Sequence, residues 1–287
     1  TNNTSKNNQK NQSSQNSTNL SNFYYTGYSL GEGYFGRVEL VKNKESSDLY
    51  ALKVLKKSKI KEKKNFEHLM NEISILKNIE FPFILKIHST FQDDLRLFIL
   101  TEYVEGGDLM KIMAKEKMFS EKMIKFVLCQ IVLMLEFLHS RNIIYRDIKP
   151  ENILIDKHGY LKLADFGLSK ELDTAEGTKT FCGTPEFIPP EILRAEEYGK
   201  AVDMWSLGVL MYELYYGKPP FCDKNISLLY KKIIFNEPSY KESFYRCEPS
   251  PLAVEVIKGL LNKSKSKRMT IDTLLMHEYF KDTSINE

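Results

Sequence analysis

The pattern of apolar and polar residues divides the chain into parts of different character. Residues 1–22 are almost entirely Asn, Ser, Gln, Thr and Lys, so they lack the apolar surface that offsets the entropy cost of ordering a chain. From residue 23 to residue 103, short β-type runs are separated by glycine and polar turns, and from residue 104 the apolar positions recur mainly at helical spacing. We therefore predict a disordered segment 1–22, an ordered region 23–281 and a tail remnant 282–287.

The ordered region is predicted to have an α+β fold with two lobes. Apolar positions over 65–79 recur near a helical period and predict one main helix among the strands of a small, β-rich lobe. Helices are predicted most clearly over 122–140 and 204–216, with a helical ending over 252–280. A larger α-helical lobe should therefore follow the β-rich lobe, and the two should be joined near residues 102–107.

Composition and charge narrow the classes of partner. Of the 287 residues, 42% are hydrophobic and 28% are charged, which is ordinary globular usage, and a net charge of +3 is too balanced to call for nucleic acid or a membrane surface. The four cysteines have no CxxC spacing, and neither a secretory leader nor a run of about 18 apolar residues is visible. We expect a reduced, intracellular, cytoplasmic protein with no transmembrane segment and no nucleic-acid partner.

A glycine-rich stretch follows the first predicted strand. Gly31, Gly33 and Gly36 have the spacing GxGxxG, which is a weak signal alone because tight turns and dinucleotide-binding folds share it. Here a strand follows Gly36, and Lys53 lies on the next strand. Glycines carry no Cβ to block a close approach, so this context favours a loop that covers the phosphates of a nucleotide.

Two further stretches carry the chemistry. Residues 145–152 read Tyr-Arg-Asp-Ile-Lys-Pro-Glu-Asn, and residues 165–167 read Asp-Phe-Gly. The first supplies a carboxylate that can accept a hydroxyl proton, Asp147, a lysine for a phosphate, Lys149, and an asparagine for a metal, Asn152. The second supplies a metal-binding carboxylate, Asp165, and hard oxygen ligands of this kind suit Mg²⁺. Together they indicate phosphoryl transfer from ATP.

Position by position, these stretches resemble the eukaryotic protein kinases. Tyr145, where most of that family has His, and residues 178–187 resemble in particular the AGC group of serine/threonine kinases, which includes cyclic-nucleotide-dependent and protein kinase B-like enzymes. Lys149 and the Gly-Thr-Pro-Glu sequence at 183–186 are also similar to serine/threonine and not tyrosine kinases. The resemblance implies a protein kinase domain over 23–281, with an N-lobe at 23–103 and a C-lobe at 104–281, that phosphorylates protein substrates.

The same resemblance implies a role for individual residues. Lys53 would contact the α- and β-phosphates and pair with Glu72 on the main helix, and Asp147 would orient and deprotonate the substrate hydroxyl beside Lys149. Asn152 and Asp165 would hold Mg²⁺. The implied ATP-binding residues are Leu30, Gly31, Glu32, Gly33, Tyr34, Phe35, Gly36, Val38, Ala51, Lys53, Thr101, Glu102, Val104, Asp108 and Leu154.

Regulation and substrate choice are implied in the same way. Thr180 matches the threonine that is phosphorylated in AGC kinases, with His68, Arg146 and Lys170 as the cations that would receive the phosphate and an upstream kinase to add it. Asp108, Glu151 and Glu213 match positions that attract arginines of a substrate. Glu191, in a Pro-Pro-Glu sequence where the family has Ala-Pro-Glu, would pair with Arg268, and Asp203 would brace the catalytic loop.

Two alternatives stay open at this point. A calcium/calmodulin-type kinase shares most of these motifs, and a pseudokinase scaffold would keep the fold without the reaction. AGC kinases also have a C-terminal tail with an aromatic motif that is not seen after Phe280, so we expect either a longer chain or activation by a partner in trans. We also expect a regulatory subunit or domain as a partner.

Overall fold

The computed structural model describes residues 20–33, 36–60, 62–172, 177–241 and 245–281. Most of the predicted disordered segment, the tail remnant, and Tyr34 and Phe35 of the glycine-rich stretch lie outside the described residues. Leu20–Asn22 forms a 3₁₀ helix, so the predicted disorder extends three residues too far. The physical reason is that Leu20 packs against an apolar cluster that includes Phe23 and Val41.

An antiparallel sheet of five strands forms the first lobe, in the spatial order β1-β2-β3-β5-β4. In the register, Val38 pairs with Lys53, Lys53 with Ile99, and Ala51 with Thr101. Because paired residues point to the same face, these five side chains share one side of the sheet. The strands are β1 Phe23–Gly33, β2 Gly36–Asn43, β3 Leu49–Lys56, β4 Ile87–Gln92 and β5 Arg96–Glu102.

One long helix packs beneath this sheet, as the periodicity predicted. A short helix α1, Lys57–Ile60, leads into α2, Lys63–Asn78, which differs from the predicted 65–79 by two residues at its start and one at its end. On α2, Leu69 and Ile73 are buried in a cluster with Leu55 and Ile99 of the sheet. This packing fixes the face of α2 that carries Glu72, one position before Ile73.

The second lobe is mainly helical. Nearly every residue of its helix at 201–216 is buried, so that helix is the centre of the lobe, and it ends at Gly217, whose φ of 73° is the left-handed conformation that glycine adopts readily. The α-helices are α3 Leu109–Lys115, α4 Glu121–Ser140, α5 Pro190–Leu193, α6 Ala201–Tyr216, α7 Ile226–Phe235, α8 Pro251–Leu260 and α9 Ile271–Leu275.

Two features of this lobe differ from the sequence-based expectation. The predicted helical ending over 252–280 is divided into α8, α9 and a final 3₁₀ helix Glu278–Phe280, because a capping box at Thr270 starts a new helix. Two small antiparallel pairs were also missed, since strands of two or three residues give no period. They join β6 Ile143–Ile144 to β9 Lys170–Glu171, and β7 Ile153–Ile155 to β8 Leu161–Leu163.

Among the described residues, α4 is the one helix long and apolar enough to cross a membrane by length and composition. Its most apolar window is 61% buried inside the protein, and Leu128, Ile131 and Leu135 lie in the main core cluster. The core of the second lobe therefore accounts for its apolar character.

Candidate active site

The catalytic loop lies between β6 and β7 and is held from below by one carboxylate. Asp203, fully buried near the start of α6, accepts hydrogen bonds from the backbone N–H groups of Tyr145 (2.9 Å) and Arg146 (2.7 Å). His139 Nε2 lies 2.7 Å from the same carboxylate. Arg146 has a φ of 69°, a conformation that L-residues adopt only when the surroundings enforce it. The predicted bracing role of Asp203 is confirmed.

Asp147 sits at the centre of a set of hydrogen-bond donors. Its Oδ1 accepts from the Thr184 hydroxyl at 2.8 Å, and its Oδ2 accepts from Asn152 Nδ2 at 2.8 Å and Lys149 Nζ at 2.8 Å. The residue is 5% exposed. Lys149 Nζ also donates to Thr184 Oγ1 at 3.0 Å. A carboxylate held in this way has a fixed direction, which positioned proton transfer requires.

The two predicted metal ligands line the same cavity. Asn152 uses its Nδ2 to donate to the Asp147 side chain and, at 2.9 Å, to the Asp147 carbonyl, so Oδ1 is the side-chain atom that could bind a cation. Asp165 has a φ of 55°, and its Oδ1 accepts from Gly167 N at 3.3 Å. Amide and carboxylate oxygens are hard ligands and fit Mg²⁺. Within the described residues no group of three or more His, Cys, Asp and Glu forms a metal site by itself.

The predicted ion pair between Lys53 of the first lobe and Glu72 of α2 is present. Lys53 Nζ lies 2.9 Å from Glu72 Oε1 and 3.0 Å from Oε2, and Glu72 is 7% exposed. Burial pushes the pKa of the Lys53 amine down, but the carboxylates of Glu72 and Asp165 more than offset this, so its pKa is raised. Lys53 therefore stays charged beside the cavity, as a phosphate contact requires.

A cavity of about 370 Å³ lies between the lobes, under the face of the sheet that the strand register defines. The predicted side chains Val38, Ala51 and Thr101 form its roof and back, and Leu154 of β7 lies opposite. The remaining predicted ATP-binding residues in its lining are Leu30, Gly31, Lys53, Glu102, Val104 and Asp108. An adjoining cavity of about 600 Å³ contains Glu32, Gly33 and Gly36.

The segment joining the lobes is fixed to β7. Gly106 N donates to Ile155 O at 2.8 Å, Ile155 N donates to Gly107 O at 2.8 Å, and a Cβ at Gly106 would lie 2.5 Å from Ile155 O. The Glu102 carboxylate accepts from Lys86 N at 2.7 Å and Lys162 Nζ at 2.9 Å. The Glu102 side chain is therefore used within the fold, and its predicted contact with ATP stays a prediction.

Three glycines of the glycine-rich stretch differ in what surrounds them. A Cβ built on Gly31 or Gly33 would meet nothing within 4 Å, whereas a Cβ on Gly36 would lie 1.8 Å from the carbonyl oxygen of Val54. Position 36 therefore has to be glycine, because the backbone of β3 leaves no room for a Cβ there. Gly31 and Gly33 leave open space on the cavity side, which is where a ligand could approach the backbone.

Tyr145 connects the catalytic loop to Asp165 through the core. Its ring meets the Phe166 ring edge to face at 5.2 Å, and its hydroxyl donates to Ala164 O. Burial raises the pKa of Tyr145 well above its usual value, and the nearby Asp165 and Asp147 carboxylates act in the same direction. The phenol is therefore a neutral hydrogen-bond donor.

Two of the three predicted cations lie near Thr180, in the segment 178–187 that resembles the AGC kinases. The Thr180 hydroxyl is exposed and lies 3.2 Å from Thr178 Oγ1, which accepts from Lys170 Nζ at 3.1 Å. Tyr198 OH donates to Thr180 O at 2.6 Å, and Arg146 Nη1 lies 3.1 Å from that phenol oxygen. Lys170 is thus linked to Thr180 through the Thr178 side chain, and Arg146 through the Tyr198 side chain.

His68, the third predicted cation, lines the cavity that adjoins the glycine-rich stretch. It shares that wall with Asn65, Leu69 and Glu72 of α2. The structure therefore places His68 on the cavity side of α2, and its predicted contact with a phosphate on Thr180 stays a prediction.

The three predicted substrate acids lie in different surroundings. Asp108 caps α3 by accepting from Lys111 N at 2.9 Å, and Glu151 is exposed at the mouth of the cavity. Glu213, on α6, is largely buried, and its Oε2 has no hydrogen-bond partner among the described residues. Burial and the neighbouring Glu151 raise the pKa of Glu213 to about 7. A buried acid without a partner is costly unless a ligand completes it.

Sequence reasoning missed residues that hold this site together. Thr184 was noted only as part of a motif, yet its hydroxyl joins Asp147 to Lys149. Tyr198 links Arg146 to Thr180, and the positive charge of Arg246 opposes the rise in the pKa of Glu213. The Gly-Thr-Pro-Glu motif could have pointed to Thr184, but the sequence around Tyr198 and Arg246 carries no comparable signal.

The sequence profile of the protein kinase domain family matches residues 24–280. Similar relatives include protein kinase 2 of Dictyostelium discoideum, 42% identical over 243 residues, which is 84% of this chain and 49% of the relative. The cAMP-dependent protein kinase catalytic subunit of the same organism is 42% identical over 240 residues, covering 84% of this chain and 36% of the relative. The serine/threonine-protein kinase sgk-1 of Caenorhabditis elegans is 42% identical over 243 residues, covering 84% and 51%.

The chain spans about half or less of the length of these relatives. Their names favour the AGC assignment over the calcium/calmodulin-type and scaffold alternatives.

Proposed function

Because this chain is a member of the protein kinase family and of its AGC group, we propose that the protein it belongs to transfers the γ-phosphate of ATP to serine and threonine hydroxyls of protein substrates. The observation that carries this proposal is the Asp147 carboxylate, held by Lys149, Asn152 and Thr184 beside a cavity that contains the Lys53–Glu72 pair. This arrangement supports the proposal, because phosphoryl transfer requires a base, a phosphate-binding cation and metal-binding oxygens around one space.

The residues fit a divalent cation, and we propose that it is Mg²⁺. Asn152 Oδ1 and the Asp165 carboxylate would hold it, and when bound it would neutralise charge on the phosphates. The protein supplies the rest: Lys53 binds phosphate oxygens as a charged donor, and Asp147 receives the hydroxyl proton at its carboxylate. Lys149 balances charge on the transferring group.

We propose that the substrates are basic around the target residue. Within the described parts of the chain the buried Oε2 atom of Glu213 has no hydrogen-bond partner, and with the nearby Glu151 it forms an acidic surface that a guanidinium group of a substrate would complete. A panel of serine peptides tested with radiolabelled ATP should show preference for arginine before the target. Preference for acidic or proline-directed peptides would contradict this proposal.

Phosphorylation of Thr180 is proposed to switch the enzyme on. A phosphate adds about −1.5 to −2 charge, and Lys170 and Arg146 already lie one side chain away. Thr180→Ala should therefore lower kcat/KM by about an order of magnitude or more in protein first treated with an activating kinase, because charge-assisted hydrogen bonds of this kind order a loop. Peptide phosphorylation with radiolabelled ATP measures the effect.

The matched control for this prediction is Thr178→Ser, which keeps the hydroxyl that Lys170 contacts. Mass spectrometry of the treated wild-type protein should find the phosphate on Thr180. Full activity of Thr180→Ala would show that this threonine is not the switch.

We further propose an upstream kinase, a regulatory subunit or domain, and a cytoplasmic location for the whole protein. Among the described residues, Cys129, Cys182, Cys222 and Cys247 form no disulfide bond, which supports a reducing compartment.

A further inference from the structure

The phenol of Tyr198 lies between the catalytic loop and the proposed switch. Its hydroxyl donates to the backbone oxygen of Thr180 at 2.6 Å and accepts from Arg146 Nη1 at 3.1 Å. Burial raises the pKa of Tyr198 to about 12, so the hydroxyl stays protonated and has a proton to donate. Tyr198 therefore joins the side chain of the catalytic-loop arginine to the backbone of the threonine that we propose as the switch.

Tyr198 is itself held in a fixed position. It is 3% exposed and packs in a cluster with Ile144, Ile188 and Val202. Its backbone N–H donates to Thr178 O at 3.0 Å, and its carbonyl accepts from Thr178 N at 2.9 Å. Because the ring is already anchored in this way, its hydroxyl can hold a neighbouring group without the entropy cost of ordering a mobile side chain.

The guanidinium group of Arg146 also contacts the chain just after the Asp-Phe-Gly sequence. Its Nε donates to Leu168 O at 2.6 Å, and its Nη2 lies 3.5 Å from Ser169 O. The same group donates to the phenol of Tyr198, which in turn donates to Thr180 O. One arginine side chain and one phenol thus connect the two ends of the chain that runs from the Asp-Phe-Gly sequence to the proposed switch.

The position of the Thr180 backbone bears on the proposed base. Thr184, which follows Thr180 closely in the chain, donates from its hydroxyl to Asp147 Oδ1 at 2.8 Å. Between them, Gly183 has a φ of 116°, and a Cβ there would lie 3.4 Å from the Arg146 carbonyl, so the chain runs close to the catalytic loop. A shift of the backbone at Thr180 would therefore move the hydroxyl that orients the Asp147 carboxylate, and small misplacements of this kind slow a reaction.

We propose that Tyr198 is a positioning residue that organises the segment 177–184 before Thr180 is phosphorylated, so that the unphosphorylated protein keeps part of its kinase activity. The inference rests on the proposed kinase activity and on the proposed switch at Thr180. A phosphate on Thr180 would form its own bonds to Arg146 and Lys170, and such charge-assisted bonds are stronger than the neutral bond from the phenol to the Thr180 carbonyl. The phenol is therefore needed most when the phosphate is absent.

Tyr198→Phe removes this hydroxyl and keeps the buried ring, so it provides the first test. In protein treated with a phosphatase, it should lower kcat/KM for a serine peptide by about fivefold or more, because two hydrogen bonds are lost. In protein phosphorylated on Thr180, the loss should be about twofold or less, because the phosphate supplies stronger bonds to the same segment. Transfer from radiolabelled ATP measures both forms, and mass spectrometry verifies their phosphorylation.

Tyr212→Phe is the matched control. Tyr212 on α6 is also buried, and its hydroxyl donates to Ser239 O at 2.6 Å, the same distance as in the bond from Tyr198 to Thr180. Its ring stacks on Tyr216 of the same helix. Because this hydroxyl holds no part of the segment 177–184, its loss should leave the ratio of phosphorylated to unphosphorylated activity at the wild-type value.

Amide hydrogen exchange provides a measurement that does not depend on kinase activity. In phosphatase-treated protein, the amides of the segment 177–184 should exchange about fivefold or more faster in Tyr198→Phe than in the wild type, because a lost hydrogen bond makes local opening more frequent. The N–H of Thr178 is the amide to follow, since it donates to Tyr198 O. Phosphorylation of Thr180 should restore slow exchange in this variant, and Tyr212→Phe should exchange like the wild type.

The two measurements separate this inference from the proposals on which it rests. An equal loss of activity in both phosphorylation states, or unchanged exchange over 177–184 in Tyr198→Phe, would overturn the role of Tyr198. A wild type that is active only when phosphorylated would also overturn it. Faster exchange in Tyr198→Phe, with no phosphate transfer by the wild type in either state, would support the organising role and contradict the proposed kinase activity. Faster exchange together with full activity of Thr180→Ala would support that role and contradict the switch.

Discussion

Replacing Asp147 by asparagine is expected to lower kcat for peptide phosphorylation by about 10²- to 10⁴-fold, the contribution of a positioned general base. The carboxylate receives donors on both oxygens, from Thr184 on one and from Asn152 and Lys149 on the other. An amide has one acceptor oxygen, so its NH₂ group would face a donor and could not take the substrate proton. Single-turnover transfer from radiolabelled ATP measures the chemical step directly.

The control is Asp156→Asn, an equally conservative change in the turn between β7 and β8. Asp156 Oδ1 accepts from His158 N and Tyr160 N, at 2.8 Å and 2.9 Å, and an asparagine oxygen can do the same. This variant should transfer phosphate at the wild-type rate. Binding of a fluorescent nucleotide, measured in parallel, should be similar in the wild type and Asp147→Asn because the cavity walls are unchanged.

Two outcomes would count against the catalytic assignment. Transfer by Asp147→Asn at the wild-type rate would show that this carboxylate is not the base. An inactive wild type, tested after phosphorylation of Thr180, would instead favour a scaffold that binds nucleotide without transferring phosphate.

The second large effect concerns stability. Arg268→Met is expected to lower the free energy of unfolding by about 3–5 kcal/mol, because it leaves a buried carboxylate without its cation. Arg268 Nη1 and Nη2 bind Glu191 Oε1 and Oε2 at 2.6 Å and 2.8 Å, and both side chains are at most 1% exposed. Arg268 also donates to Ala201 O and Asn262 O. Urea unfolding followed by circular dichroism measures the loss.

A double variant tests the cause. Glu191→Leu combined with Arg268→Met removes both charges, and it should be more stable than Arg268→Met alone because no buried charge is left unpaired. Lys86→Met removes an exposed pair with Glu80 and should unfold like the wild type. If the double variant loses at least as much stability as the single one, lost packing and lost hydrogen bonds to Ala201 and Asn262 explain the effect.

The parts of the molecule that could be predicted from the sequence are those marked by hydrophobic periodicity or by a short sequence motif. Short β-type runs broken by glycine and polar turns predicted a β-rich first lobe, and helical spacing placed α2, α4 and α6 within a few residues. The resemblance to the protein kinases implied the pairs Lys53–Glu72 and Glu191–Arg268, which the structure contains. These features are predictable because each depends on local spacing or on a motif that fixes both partners.

The rest depends on packing between distant parts of the chain. The pairs β6–β9 and β7–β8 are too short to show a period, although they hold the catalytic loop and Asp165 in place. Arg246 meets the carbonyl groups of Met113 and Glu116, which lie far earlier in the chain. No pattern in the sequence encodes that meeting.

The glycine-rich stretch also bears on protein design. The Val54 carbonyl of the adjacent strand leaves no room for a Cβ at Gly36, whereas a Cβ at Gly31 or Gly33 would lie in open space. A designer who moved this stretch onto another sheet would keep the first two glycines for the nucleotide. The third residue would have to be chosen again, from the backbone that the new sheet places behind it.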